Sequence, residues 1–430
     1  MTTSVDTISR HTLDNGLRLV VARAGAQRVA AVNLWYGVGS RHERAGRTGF
    51  AHLFEHLMFQ GTAHTEKGEH LDQIERFGGE LNASTWTERT NYFETVPEHG
   101  LDLALWLEAD RLATLREGVT QEVLDNQRDV VKNERRQRYD NVPYGTAYER
   151  LLAMGYPEGH PYHHSTIGSM ADLDAATLDD VLTFHEHHYG PDNAVLTVVT
   201  DLDFEEVLRR VEAQFGRIPR RSIVPETPDP TLEVMMTGGP GHEVVVENCP
   251  APAVHVGYRV SALGAHEHDV AEVTAALLGL GQGSRLYRRL VLDRRLAVDD
   301  GGSAGDLLPF HYAPALALFG LVARDGVSGE TLEGALVEEI ERVAKGVEAD
   351  EVARAQAVLE RDHVQSISSP SGRADEMSRF TTLFDDPELA LTWPRRWATV
   401  TADEVVAFAE RALTGDNRFV LRFEPEEVQA

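Results

Sequence analysis

His52-Leu53-Phe54-Glu55-His56 sets two imidazoles and a carboxylate on one face of a predicted helix. At the helical twist the histidines fall one turn apart on the same stripe, and Glu55 lies within about 100° of them. Neutral imidazole nitrogens suit Zn²⁺, and a carboxylate that is not itself a ligand can take a proton from a water at the metal. The order His-x-x-Glu-His is the reverse of the commoner His-Glu-x-x-His, which occurs nowhere in this chain. A five-residue match of this kind arises by chance in roughly one chain in ten, so its surroundings have to carry the rest. The bland alternative is an amphipathic helix whose histidines are satisfied core or surface residues.

A catalytic zinc takes three protein ligands and leaves one position open for water, so a third ligand has to come from elsewhere. Residues 120–139 contain neither Gly nor Pro and predict a long helix, with Val123, Gln127, Val130, Val131 and Glu134 along one inward stripe. An acid on such a stripe needs a reason to be there, which makes Glu134 the best candidate. Spacing alone does not choose it over Glu122, Asp125 or Asp129, and an exposed Glu134 paired with Arg138 at i,i+4 is the ordinary account of the same residue.

The blocks Gly49-Phe50-Ala51-His52-Leu53-Phe54-Glu55-His56-Leu57-Met58-Phe59-Gln60-Gly61-Thr62, Gly78-Gly79-Glu80-Leu81-Asn82-Ala83-Ser84-Thr85, Thr90-Asn91-Tyr92 and Val130-Val131-Lys132-Asn133-Glu134-Arg135 follow one another along the chain. His160-Pro161-Tyr162 and Thr166-Ile167-Gly168-Ser169 come after them. In these blocks the chain resembles the M16 zinc metallopeptidases, the pitrilysin, insulysin and mitochondrial processing peptidase group, and most of all its short bacterial two-domain members. The similarity runs from about Ile8 to the C-terminus. It implies that His52, His56 and Glu134 are the Zn²⁺ ligands and Glu55 the general base of a zinc-dependent endopeptidase. It also implies that Asn82, Ala83, Ser84 and Thr85 form an edge strand to which the substrate peptide adds. Backbone hydrogen bonds would then supply affinity without reading sequence, and broad peptide tolerance follows. Read from the residues alone, Asn82 is a turn residue after Gly78-Gly79.

A chain of 430 residues is too long for one core and predicts two or three domains. The net charge of −28 excludes nucleic acid as a partner, since phosphate binding needs a concentrated basic face. An acidic enzyme favours basic peptides, yet a solvated, solubilising surface is the simpler account of the charge. The single cysteine, Cys249, excludes an intrachain disulfide and a cysteine-based zinc cluster. Residues 1–10 are polar with no apolar run behind them and no stretch approaches the roughly 18 apolar residues of a membrane span, so the expectation is a cytoplasmic setting with no signal peptide and no membrane partner.

Two similar halves follow from a pass along the chain. Segments around Leu17-Arg18-Leu19-Val20-Val21 and Val29-Ala30-Ala31-Val32-Asn33-Leu34-Trp35-Tyr36 read as a strand pair leading to the zinc helix. Val244-Val245-Val246-Glu247 and Ala253-Val254-His255-Val256-Gly257-Tyr258 repeat that pattern, with residues 269–280 as the following helix and no metal motif in it. Between them lies a proline-rich stretch without periodicity. The expected division is an N-terminal zinc-bearing domain over 1–220, a linker over 221–236 and a homologous C-terminal domain over 237–430. Helices such as 174–187, 329–345 and 350–364 alternate with strands such as 194–199, which predicts an α/β (α+β) fold with a mixed β-sheet packed with helices in each half. By resemblance, the two halves enclose a peptide-binding cavity. His185, His187 and His188 close a predicted helix and read as structural, polar residues being favoured at a helix C-terminus.

Two departures from the family pattern matter. Where many members carry an acid seven residues before the third ligand, this chain has Gln127, which bears on the support around the metal. Active members also carry an Arg and a Tyr in the second half that hold substrate and stabilise the oxyanion, and the matching places here are Val291 and Val298. The expectation is a dimer, with this chain as the zinc-bearing catalytic subunit and a homologue supplying the Arg and Tyr as the heterodimeric partner. Tyr287, Arg288 and Arg289 stand in the same block as substitutes. The competing reading is a non-catalytic structural or scaffold subunit of an M16-type complex. A metal-storage or metal-sensing protein gives no reason for Glu55 or for the edge strand.

Overall fold

The computed structural model describes residues 8–25, 27–221, 241–299, 301 and 304–426. Two mixed sheets organise it. The first has strands β1 (Ser9–Thr12), β2 (Arg18–Ala22), β3 (Val29–Tyr36), β4 (Glu80–Thr85), β5 (Thr90–Pro97) and β6 (Ala194–Val199), in the order β1-β2-β6-β3-β5-β4. The second has β7 (Gly241–Glu247), β8 (Ala253–Val260), β9 (Gly305–Leu308), β10 (Ala315–Val322) and β11 (Arg418–Pro425), in the order β7-β11-β8-β10-β9.

The expected pairing of the first two long strands is not found. β6 inserts between β2 and β3, parallel to the former and antiparallel to the latter. β11 does the same between β7 and β8. The composition explains the insertion. β6 is Ala-Val-Leu-Thr-Val-Val and buried at every position, as a strand covered on both faces and both edges must be. The topology repeats, β2-β6-β3-β5-β4 answering β7-β11-β8-β10-β9, so the internal duplication read from the sequence is a duplication of strand order.

In the first sheet one face carries Tyr36 and Tyr92 toward α3 (Leu101–Gly118), which packs on β3 and β5. The other face carries Asn33, Asn91 and Thr197 toward the helix Pro370–Phe384, whose Ser378 Oγ donates to Thr197 Oγ1 at 2.8 Å. α1 (Phe50–Leu57), followed in the chain by α2 (Glu69–Arg76), runs beside the edge strand β4 and against α4 (Gln121–Arg135).

The compact units are each assembled from three stretches of chain. One gathers Met1–Arg135, His164–Pro228 and Val364–Leu391, and the other Arg136–His163, Asp229–His363 and Thr392–Ala430. In the second unit, α5 (Ala147–Gly155) packs on β8 and β11, and Arg259 donates to its C-terminal carbonyls at Gly155 (2.5 Å) and Met154 (2.8 Å). Residues 222–236 of the expected linker lie outside the described residues. Cys249 is a buried free thiol, and among the described residues no helix is long and apolar enough to cross a membrane.

Two helices differ in detail from the periodicity. α4 buries Leu124, Gln127 and Val131, whereas Val130 is exposed, so the inward stripe is the strict i, i+3, i+7 row that continues to Glu134. The stretch 174–187 breaks after Ala175 and restarts as Leu178–His188, because Thr177 forms a capping box with Asp180.

Candidate metal centre

Helix α1 is held from its first turn. Gly49 precedes it at φ +87°, and the Glu43 carboxylate accepts from the backbone N–H groups of Gly49 (2.8 Å) and Ala51 (2.7 Å). Glu43 is fully enclosed, and burial lifts its carboxyl to about 8 against the backbone hydrogen bonds that pull it down. The inner side of α1 buries Leu53, Phe54 and Leu57. The Phe54 ring lies 4.4 Å from the Tyr189 ring and stacks on His185 at 5.4 Å between centroids. Burial holds His185 neutral, its pKa lowered to about 3, so this histidine serves packing.

His52 and His56 then project from the opposite side, their rings 4.8 Å apart. Glu134 reaches them from α4, with Oε2 at 3.7 Å from His52 Nε2 and 3.3 Å from His56 Nε2. One ligand atom from each of the three lies within 4.8 Å of the others, a donor set of two imidazoles and a carboxylate that fits a divalent ion of zinc type. Glu122, Asp125 and Asp129, which spacing left open, are not in this group. Gln127 is buried one row earlier and donates from Nε2 to Asn126 Oδ1 at 2.9 Å.

The segment Thr166-Ile167-Gly168-Ser169 ties the two helices together. A Cβ on Gly168, at φ +67°, would stand 2.2 Å from Gly49 N, and one on Gly49 would stand 2.8 Å from Ile167 O. The Gly168 carbonyl accepts from Arg135 Nη1 at 2.8 Å, beside Glu134 at the end of α4. Along the sequence Gly168 and Arg135 stand out only as members of their blocks, and Glu43 carries no signal.

Glu55 turns from the donor group toward β4, where Thr85 Oγ1 donates to its Oε2 at 2.6 Å. Burial raises the Glu55 carboxyl above its usual range, while the Thr85 hydrogen bond and the charges of His56 and Arg89 oppose that rise. Asn82, Ala83, Ser84 and Thr85 all lie on β4, which pairs with β5 on one side and is the edge of its sheet on the other. At the hairpin, Trp86 N–H donates to Arg89 O at 2.8 Å. Antiparallel ladders alternate, so Asn82 and Ser84 turn their backbone groups to β5, and Ala83 and Thr85 turn theirs to the free edge. The Ala83 N–H is met at 2.8 Å by the Oδ1 of Asn82.

A second group, His70, Glu94 and Glu108, brings its ligand atoms equally close and is fully buried. It already contains a cation. The Arg111 guanidinium pairs with Glu108 and lies 4.2 Å from the Tyr92 ring centroid. His70 and Glu94 are 3.3 Å apart, and burial lowers the first to about 3 and raises the second to about 8. Both directions favour the uncharged forms, so a neutral hydrogen-bonded pair fits this site, with Glu108 and Arg111 as the charged pair beside it.

In the second unit Val291 is buried and Val298 exposed. Nearby Tyr287 is buried and donates to Asp299 Oδ2 at 2.9 Å, and Arg285 is paired with Glu351. Arg288 and Arg289 are exposed.

Comparison with known proteins gives the same direction. Residues 18–167 match the family described as insulinase (peptidase family M16), and residues 175–359 match the peptidase M16 inactive domain. The zinc protease PqqE of Helicobacter pylori is 31% identical over 363 residues, covering 84% of this chain and 80% of that protein. An uncharacterized zinc protease of Mycobacterium tuberculosis is 29% identical over 406 residues, 94% and 90% of the two chains. The crystal structure of a protease from Helicobacter pylori superposes with a TM-score of 0.89 at 27% identity, over 98% of this chain and 100% of that one.

Proposed function

The chain belongs to the M16 peptidase family, and from that premise we propose that it is a zinc-dependent endopeptidase with His52, His56 and Glu134 as metal ligands and Glu55 as general base. The observation that carries this reading is the convergence of the α1 and α4 side chains, with Glu55 beside them on the edge-strand side. Zinc, when bound, would supply Lewis acidity toward the scissile carbonyl and the attacking water. The chain's own residues do the rest. Ala83 and Thr85 turn their backbone groups to an extended peptide, the Ala83 N–H exchanging its bond to Asn82 Oδ1 for one to the peptide, so that the peptide lies as an added strand alongside Glu55. Glu55 accepts a proton from the attacking water and returns it to the departing amine, held for both steps by the Thr85 hydroxyl. Glu55→Gln should keep zinc and lose peptide hydrolysis by roughly 10²–10⁴-fold, read from metal content and cleavage of a fluorogenic peptide. Hydrolysis persisting in that variant would remove Glu55 from the role.

We further propose that this chain is the catalytic subunit of a heterodimer. Val291 and Val298 cannot donate hydrogen bonds from their side chains; of the substitutes, Tyr287 is engaged by Asp299 and Arg289 by Asp293, which leaves Arg288 as the one that Arg288→Ala would have to test. A site lacking an oxyanion donor loses about 3–4 kcal/mol of transition-state stabilisation, which a homologous partner could supply. The same substitutions are what favour the alternative of a scaffold subunit, and a chain inactive both alone and with a homologous partner would decide for it.

A further inference from the structure

Resting on the peptidase reading above, we propose that Arg89 is a positioning residue that clamps the edge strand β4 to the helix Pro370–Phe384, and so sets the register of the edge to which a peptide adds. Arg89 closes the β4–β5 hairpin, and its side chain folds back along it. Nη1 donates to the Ser84 carbonyl at 2.9 Å and to Asn91 Oδ1 at 3.0 Å, and also contacts Ser84 Oγ. Asn91 Oδ1 accepts from Ser84 Oγ at 2.7 Å, and Asn91 Nδ2 donates to Asp375 Oδ1 at 2.9 Å. The same Asp375 oxygen accepts from Asn33 Nδ2 on β3 at 3.1 Å. The guanidinium lies 4.9 Å from the Trp35 ring centroid, which fixes its plane. A continuous polar path therefore runs from a helix late in the sequence, across β5, to Ser84.

Ser84 stands between Ala83 and Thr85, the residues whose backbone groups face the free edge, and the Thr85 hydroxyl holds Glu55. A strand paired on one side only is the part of a sheet most prone to fray. Adding a further strand requires its free N–H and C=O groups to be in line before the peptide arrives, and a shift of about 1 Å is enough to cost much of the productive geometry. The guanidinium is well placed to suppress that shift. It anchors the inward-facing Ser84 carbonyl and makes no bond to the outward-facing groups of Ala83 and Thr85. Burial lowers the Arg89 guanidinium below its usual range, Asp375, Glu55 and Glu376 in the same cluster oppose that fall, and Arg379 adds to it.

The test uses the full chain with Arg89→Ala, Arg89→Lys, Asp375→Ala and Asp375→Asn. Two quantities are read: amide hydrogen exchange of the segment Glu80–Thr85, and KM and kcat for a fluorogenic peptide. Arg89→Ala should speed exchange in that segment about tenfold and raise KM about tenfold, with zinc content unchanged. Arg89→Lys should recover most of both. Asp375→Ala should move both readouts in the same direction, whereas Asp375→Asn, which keeps the Oδ1 acceptor, should stay near the unaltered chain. A fall in kcat at unchanged KM would signal lost folded enzyme and overturn the clamp, as would unchanged exchange in β4. If the unaltered chain cleaves no peptide, the endopeptidase proposal fails by itself. The exchange measurement then decides the clamp alone, faster exchange in Arg89→Ala supporting it and equal exchange refuting it.

Discussion

Glu94 sits inside the protein with its carboxyl raised to about 8, against a usual value of 4.5, by burial. Below pH 4.5 folded and unfolded chains both hold that proton. Between there and 8 the unfolded chain releases it while the folded chain keeps it, so this group's stability contribution declines as pH rises through that window. Neighbouring His70 works in the opposite direction, since its lowered value of about 3 means stability is lost as pH falls below the usual histidine range. Glu94→Gln, a neutral mimic of the protonated acid, should raise stability at pH 8 by roughly 4 kcal/mol and leave it nearly unchanged near pH 4.5. Thermal unfolding at both pH values checks this, and equal shifts at the two would contradict it. Only the Glu108 and Arg111 pair, at i,i+3 on one helix, has a spacing that can be read along the chain; His70 and Glu94 come from another helix and a strand with no spacing that ties them to it. His52, Glu55 and His56 are legible for the opposite reason: one turn of one helix fixes their relation. Glu134 lies between. Its stripe can be read, but only the fold distinguishes it from its acidic neighbours.

Elements rather than single side chains hold the two donor-bearing helices in place. Gly168 is pressed against the start of α1 at φ +67°, whereas Gly159, at φ +83°, has nothing near where a Cβ would stand. Gly159→Ala should therefore cost about 1 kcal/mol, from the backbone alone. Gly168→Ala should cost roughly 2–3 kcal/mol and weaken zinc binding as well, because Gly49 has to move. Chemical denaturation and zinc titration of the two variants separate these effects, and equal zinc affinity would contradict the role given to the contact. Strand identity is legible from β-branched runs such as β6, but strand order is not. An inserted strand leaves no local mark on the strands that it separates, so β2 and β3 read as partners although β6 lies between them.

At the scale of the whole molecule, each compact unit recruits a stretch from the far side of the other in sequence. The helix Pro370–Phe384 belongs with the first sheet for this reason, a placement that linear composition does not carry. The missing Arg and Tyr also belong to this scale. Mixing the purified chain with a homologue that carries both should raise kcat/KM by about 10²-fold or more, in line with one recovered oxyanion donor. Undiminished activity of the chain alone relative to the mixture would contradict the heterodimer. The central claim is the three-donor grip formed by His52, His56 and Glu134, and zinc stoichiometry of the Glu134→Ala variant beside the unaltered chain tests it most directly. The account predicts one zinc per unaltered chain and its loss from Glu134→Ala; one tightly held zinc in that variant would contradict it.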